Sequence, residues 1–235
     1  LNNILKLCAE KRVNKKIIKL HNLISNSIRI NEKAYKSFSD PNFLNDVEDV
    51  KKISNFLHKN RLSLITNSKT LIEYLTDIQK HFVPVTSKTQ DKTFDELIIL
   101  KIEIKNFGLG LGRTQVRLNA NQLNNAISKE IDLKGNPDDP SSKRTYLQAL
   151  SKLIEGVKQV KINFGSVLEE NMNARRYFMV IKQMFKYIDE RQSIRFLIAE
   201  CDYALTAITA LYFAKLFGVD HKIDISPLFE TEKGL

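Results

Sequence analysis

The second half of the chain alternates between two hydrophobic periods, and this alternation limits the folds available to it. Apolar residues recur at every second position in short runs and at helical spacing in the longer runs between them. The strand-like runs are 114–118, 160–164, 194–199 and 223–228, and the helical runs are 121–130, 142–157, 167–189 and 203–217. This order is typical of βα units, whose strands form a parallel sheet or barrel. We therefore expect an α/β fold that is mostly helical.

The apolar pattern of the first half of the chain predicts helices and no strands. Its apolar residues fall at helical spacing, as in the runs 17–28, 49–57 and 68–75. Ser68 is a plausible N-cap for the last of these runs. The polar stretch 85–92 is the candidate linker, and a new helix is predicted to start near Thr93. We expect a helical region at 1–93 and a βα segment, part of a barrel, at 94–235.

Composition indicates a globular protein of a reducing compartment. Hydrophobic residues make up 43% and charged residues 27% of the 235 positions, which is ordinary for a folded domain. The two cysteines, Cys8 and Cys201, lie outside any disulfide or zinc spacing. No uninterrupted apolar run approaches the roughly 18 residues of a membrane span, and no signal-peptide pattern is present. A cytoplasmic protein without a membrane partner is predicted. Its ends, Leu1 and Leu235, are expected to be cuts in a longer chain.

Basic residues exceed acidic ones, with a formal net charge of +10. The densest run lies at 11–19, where lysine and arginine alternate with apolar residues at a spacing that suits one solvated face of a helix. Nothing aromatic or glycine-rich accompanies this run to form a base-stacking platform. The run alone therefore predicts no nucleic-acid partner. A non-catalytic basic helical binding module, or a relic of a degraded enzyme gene, stays as the alternative function.

A glycine cluster at Gly108, Gly110 and Gly112 precedes the first strand-like run. A phosphate-binding P-loop would need glycine at the position of Phe107 and lysine at that of Arg113. A dinucleotide fingerprint starting at Gly108 would need a small residue at position 113 as well. The cluster is therefore interpreted as a tight junction between a helix and a strand.

Charged residues lie at or near the C-terminal ends of three of the predicted strands. These are Arg117, Glu200, Asp202 and Glu230. In a βα barrel the C-terminal ends of all strands meet at one face, where active sites are built. Each charge taken alone is more readily interpreted as a solvated or paired loop residue, so the pattern predicts a site without identifying it.

The segment Ser226-Pro227-Leu228-Phe229-Glu230-Thr231 resembles the metal-binding segment of the phosphoenolpyruvate carboxylases. Two further stretches occur in the order that this family requires. One is Phe107-Gly108 followed by Arg113, Val116 and Arg117, and the other is 198–202 followed by 210–219. The resemblance covers 107–235. It implies part of a (β/α)8 barrel preceded by a helical region.

The resemblance also implies roles for two residues and a reaction. Glu230 would be a ligand of the catalytic Mg²⁺ or Mn²⁺, and Arg117 would contact the substrate. The reaction would be the carboxylation of phosphoenolpyruvate by bicarbonate to oxaloacetate and phosphate, an anaplerotic step that feeds the tricarboxylic acid cycle. The full-length enzyme would be a cytoplasmic homotetramer.

The chain departs from the family pattern at several positions. Gln115 and Leu118 flank the arginine in place of the commoner residues, and Tyr203-Ala204 stand where Thr-Pro is expected. The family's histidine in a Thr-His-Pro context, its second metal carboxylate, its lysine and its glycine-rich arginine loop are missing from these 235 residues. We therefore expect this chain by itself not to turn over.

Overall fold

The computed structural model describes residues 11–38, 46–80, 88–109, 114–131, 140–191 and 193–230. The chain divides into two compact units. Unit 1 comprises Leu1–Gly112 together with Phe185–Arg191, and unit 2 comprises Arg113–Met184 together with Gln192–Leu235. The boundary predicted at residue 93 lies inside a helix, and the division between the units falls about one helix later in the sequence.

The described part of unit 1 consists of helices, in agreement with the helical pattern of the first half. They are α1 (Lys11–Phe38), α2 (Val47–Lys59), a 3-10 turn (Arg61–Ser63), α3 (Ser68–Lys80) and α4 (Lys88–Phe107). These helices form because each has one apolar side, and the apolar sides of α1, α3 and α4 meet in one core. The core residues are Ile17, Leu20, Leu71, Leu75, Ile78, Leu97 and Ile104.

Two details of unit 1 differ from the sequence predictions. The cap of α3 is Asn67, whose Oδ1 accepts the N–H groups of Lys69 and Thr70, while Ser68 is the first helical residue. Residues 88–92 of the predicted linker belong to α4, whereas 81–87 lie outside the described residues. The physical reason for the second difference is that polar residues such as lysine and glutamine are compatible with a helix, so a polar stretch need not be a loop.

A buried carboxylate holds the end of α4. Gly108 has φ +69° and ends the helix in the left-handed conformation that glycine adopts at little cost. Asp189 is 1% exposed; its Oδ2 accepts the N–H of Leu109 at 2.8 Å and its Oδ1 accepts that of Arg191 at 2.9 Å. The part of the glycine cluster that the structure describes therefore forms the predicted tight turn.

Unit 2 contains three parallel strands among its described residues, with helices between them. Its elements are β1 (Thr114–Asn119), α5 (Ala120–Ile131), α6 (Pro140–Gly156), α7 (Phe164–Glu169), α8 (Asn173–Tyr187), β2 (Ile194–Ala199), α9 (Ala204–Leu216) and β3 (Ile223–Pro227). The last three residues of α8 belong to unit 1. The strands pair in the order β1-β2-β3, and both pairs are parallel. A mostly helical α/β fold is thus confirmed.

The strand predicted at 160–164 is wrong. Residues 157–163 have no regular structure, and Phe164 is the first residue of α7. The N–H of Val160 donates to the carbonyl of Leu216 at the end of α9, so it is not free to join a strand. Asn163 then caps α7 through its side chain, which accepts the N–H of Ser166. The helix predicted at 167–189 is likewise divided at 170–172.

The two faces of the sheet have different environments. Leu118, Phe196 and Ile198 are fully buried or nearly so on one face, where the ring of Phe178 from α8 stacks on Phe196 with centroids 4.6 Å apart. Because side chains alternate along a strand, the neighbouring residues lie on the other face. That face is polar where Gln115, Arg195 and Asp224 lie side by side in register, and all three are exposed.

No helix in the described ranges is long and apolar enough to cross a membrane.

Candidate functional site

Four polar side chains gather where the strands of unit 2 end. Arg117 and Asn119 belong to the last half of β1, Glu200 follows β2, and Glu230 follows β3. Because the strands are parallel, their C-terminal ends lie at the same edge of the sheet. We call these four residues the strand-end site.

Arg117 and Glu230 form the first contact of the site. The Nη2 atom of Arg117 lies 2.7 Å from Oε1 of Glu230. Arg117 is in register with Leu197 on β2, and Leu197 is in register with Ser226 on β3. The arginine therefore lies on the same face of the sheet as Ser226. From there its side chain reaches across the sheet toward the segment that follows β3. The side chains are 61% and 38% exposed. An ion pair in such a solvated position contributes roughly 0–1 kcal/mol to stability.

Backbone hydrogen bonds hold the segment that carries Glu230. The N–H of Leu228 donates to the carbonyl of Ile198 at 2.9 Å, and the N–H of Cys201 donates to the carbonyl of Leu228 at 3.1 Å. These bonds continue the pairing of β2 and β3 beyond the last strand residue. The backbone before Glu230 is therefore positioned by the sheet.

Asn119 and Glu200 form the second contact. The Nδ2 atom of Asn119 donates to Oε2 of Glu200 at 2.5 Å. The other side-chain atom of Asn119, Oδ1, accepts the N–H of Asn121 at 2.8 Å at the start of α5, and the N–H of Asn119 donates to Gln122 Oε1 at 3.3 Å. Asn119 is thus both a helix cap and a carboxylate donor, so Glu200 is tied to the start of α5.

The backbone of Glu200 has an unusual conformation. Its φ is +54°, and it is the single non-glycine residue with a positive φ among the described residues. An L-residue in the left-handed region costs about 1–2 kcal/mol relative to the common regions. The residue lies in the turn after β2, and its carboxylate accepts the hydrogen bond from Asn119.

Cys201 directly follows Glu200 of the strand-end site in the sequence. Its side chain is fully buried, and its Sγ–H donates to the carbonyl of Tyr203 at 3.6 Å. Burial raises the pKa of the Cys201 thiol, and the nearby carboxylate of Asp202 raises it further. A thiol with a raised pKa and no exposure is a packing group rather than a nucleophile.

The structure brings together the two residues on which the sequence interpretation depends most. Arg117 and Glu230 are in direct contact, as their positions at the ends of parallel strands predicted. Glu200 lies at the same edge, and Asp202 follows it in a half-buried position. Asn119 was not predicted as a site residue. In the sequence, Asn119 stands immediately before a helical run, and this position indicates a helix cap. The position does not reveal the hydrogen bond that the side chain of Asn119 also donates to Glu200.

The donor chemistry of the strand-end site suits a hard divalent cation. Glu200 and Glu230 present carboxylate oxygens, the ligand type that Mg²⁺ and Mn²⁺ prefer. In the parts of the chain that the structure describes, no three His, Cys, Asp or Glu side chains converge as a metal-binding group. Mg²⁺ is commonly held by one or two carboxylates together with substrate phosphate and water, so one carboxylate, that of Glu230, is enough for this mode of binding.

Comparisons with protein-family models, with curated proteins and with solved structures found no significant match for the chain.

Proposed function

We propose that unit 2 is a segment of a phosphoenolpyruvate carboxylase and that the strand-end site is part of its active site. The observation that carries the proposal is the 2.7 Å contact between Arg117 and Glu230. These are the residues to which the family resemblance assigns substrate and metal binding, and they are 113 positions apart in the sequence. The contact supports the proposal because the two charges to which the resemblance assigns these roles lie together at one edge of the sheet.

Each residue has a chemical role in this proposal. Arg117 carries a permanent positive charge on a planar fork of donors, which matches a phosphate or carboxylate group of phosphoenolpyruvate. Glu230 would hold the divalent cation through its carboxylate oxygens. When bound, Mg²⁺ or Mn²⁺ supplies Lewis-acid stabilisation of the negative charge that builds on the substrate oxygens. Fixed charges of this kind are typically the largest contribution to catalysis.

The ion pair between Arg117 and Glu230 is weak enough for a ligand to separate the two side chains. The pair is exposed, so separating the two side chains costs about 1 kcal/mol or less. An anionic ligand can then take over the guanidinium while a cation takes over the carboxylate. The two side chains would thus switch from pairing with each other to pairing with the substrate and the metal.

The remaining parts of this proposal concern the longer protein. They are the completed (β/α)8 barrel, the cytoplasmic location, the bicarbonate substrate and the homotetramer. The chain lacks the histidine, lysine and arginine-loop motifs that the family resemblance requires, so binding is the property that this chain can test.

The proposal is tested by measuring Mn²⁺ binding to the full chain by electron paramagnetic resonance, with and without phosphoenolpyruvate. We expect phosphoenolpyruvate to increase the amount of bound Mn²⁺, and Glu230→Gln to abolish this increase. Glu155→Gln is the matched control, because Glu155 is an exposed carboxylate on α6 of the same unit. Equal Mn²⁺ binding by the wild type and Glu230→Gln would overturn the proposal.

A further inference from the structure

The outward side of α1 carries a row of basic side chains that is longer than the sequence run at 11–19 suggested. At 100° per residue, the positions of these side chains fall within an arc of roughly 100° of the helix circumference. All are exposed: Lys15, Lys19, Arg29, Lys33 and Lys36. At 1.5 Å per residue the row is about 32 Å long. We call it the α1 basic face.

Few acidic groups balance the charge of this face. Glu32 is the one exposed acidic residue on α1, and within the described residues none of the five basic side chains forms an ion pair. Lys33 lies over the ring of Phe56, with Nζ 4.5 Å from the centroid, which leaves its positive charge uncompensated. Lys16 points elsewhere and pairs with Asp77 at 2.5 Å. The face is therefore a concentrated positive surface.

The composition of α1 decides between the polyanions that such a surface could bind. A helix that binds a membrane surface needs an apolar side to enter the lipid. In α1 most of that side is already used, because Ile17, Leu20 and Ile30 are buried in the core of the protein. The exposed apolar residues in the described part of α1 are Ile18 and Ile28, which lie ten positions apart and form no continuous apolar side. The outward positions between the cations include Asn22 and Asn26, whose amides donate hydrogen bonds to phosphate oxygens.

We propose that the α1 basic face binds the phosphate backbone of duplex nucleic acid without sequence preference. A duplex carries one negative charge per about 1.7 Å of its axis, so a face about 32 Å long can meet several phosphates at once. Such binding releases counterions and needs cations rather than stacking groups. The inference is independent of the carboxylase proposal, which concerns unit 2.

The test is fluorescence anisotropy of a short labelled DNA duplex of mixed sequence, titrated with the full chain at several salt concentrations. Each phosphate contact contributes about −0.9 to the slope of log K against log salt. We expect Lys15→Gln, Lys19→Gln and Arg29→Gln together to make the slope shallower by about 2 to 3 and to weaken binding at low salt by at least tenfold.

The matched control is the triple change Lys143→Gln, Arg144→Gln and Lys152→Gln on α6. It removes the same two lysines and one arginine from exposed positions of unit 2. We expect the control to keep the wild-type slope, and circular dichroism of both variants to match the wild type. Equal losses in the two triple variants would overturn the proposal, because net charge alone would then explain the binding. Binding to vesicles that contain phosphatidylserine, with none to the duplex, would overturn it in favour of a membrane surface.

Discussion

Arg117 and Glu230 lie in contact at the C-terminal edge of a parallel sheet, although β2 and four helices longer than ten residues separate them in the chain. Parallel pairing produces this contact, because it brings the end of every strand to the same side of the sheet. The pair contributes little to stability, since both side chains are largely in water. Its meaning for function therefore depends on what else the two charges can bind.

The strained backbone of Glu200 predicts an unusual ranking of two substitutions. Glu200→Ala and Glu200→Gly both remove the carboxylate that Asn119 contacts, but glycine alone relieves the positive φ. We expect Glu200→Gly to be more stable than Glu200→Ala by about 1 kcal/mol, measured by urea unfolding. Equal stability of the two variants would show that the residue is not held in the left-handed conformation.

Replacement by alanine should have opposite effects on stability at two glycines, Gly218 and Gly156. A Cβ at Gly218, where φ is +63°, would lie 2.5 Å from Oε1 of Gln159, whereas a Cβ at Gly156 would meet nothing within 4 Å. We expect Gly218→Ala to lower the free energy of unfolding by about 1–3 kcal/mol, and Gly156→Ala to leave it unchanged or raise it by up to about 1 kcal/mol. Thermal unfolding of both variants checks the contrast. If Gln159→Ala restores part of the stability of Gly218→Ala, the contact contributes to the loss in addition to the backbone strain.

The strands and the glycine at the end of α9 were predictable from the sequence for a local reason. The runs at 114–118, 194–199 and 223–228 coincide with β1, β2 and β3 to within one residue at each end, because their alternation matches a sheet with one buried face. Gly218 directly follows the helical run 203–217, where glycine is the residue that most readily adopts a left-handed conformation, and its φ is +63°. These features depend on neighbours in the sequence.

The features that sequence could not predict depend on distant partners. The run 160–164 has a strand-like pattern, but the N–H of Val160 bonds to Leu216, which lies far along the chain. The contact of Asn119 with Glu200 likewise joins two segments that no local pattern connects. In contrast, Arg117 and Glu230 were predictable as neighbours, because the C-terminal ends of parallel strands lie at the same edge of a sheet. This rule holds without knowledge of the individual contacts.

The ion pairs of the cluster around Arg175 are less exposed than the pair between Arg117 and Glu230, so breaking them should cost more stability. Arg175 contacts Glu130 through Nη1 and Glu170 through Nε, the latter at 2.8 Å, and the three side chains are 15–30% exposed. Arg175→Met would leave two carboxylates close together without their cation. We expect a loss of about 1–3 kcal/mol in urea unfolding.

The control for this cluster is Lys215→Met, whose pair with Asp220 is longer, at 3.9 Å, and more exposed. It should change the free energy of unfolding by no more than about 0.5 kcal/mol. Adding Glu170→Gln to Arg175→Met should recover part of the loss, since it removes one of the two unpaired charges. If Arg175→Met and Lys215→Met lowered the free energy of unfolding by the same amount, the cluster would not be the cause of the loss in Arg175→Met.

The buried thiol of Cys201 predicts a pH dependence of stability at alkaline pH. Because burial raises its pKa in the folded state, the folded protein holds the thiol proton more tightly than the unfolded chain does. This contribution is fully present below the unfolded pKa of about 8.5 and is lost as the pH rises toward the folded pKa. The free energy of unfolding of wild type should therefore fall more steeply above about pH 8.5 than that of Cys201→Ala, measured by urea unfolding. Parallel pH profiles for the two proteins would contradict the raised pKa.

The most direct measurement of the central claim is a double-mutant cycle on ligand binding, with Arg117→Gln, Glu230→Gln and the double variant. The affinity for phosphoenolpyruvate in the presence of Mn²⁺ would be measured by titration calorimetry. If the two residues form one site, each single change weakens binding by roughly tenfold or more, and the double variant binds no more weakly than the worse single variant. Unchanged affinity in both single variants, or two losses that simply add, would contradict the account.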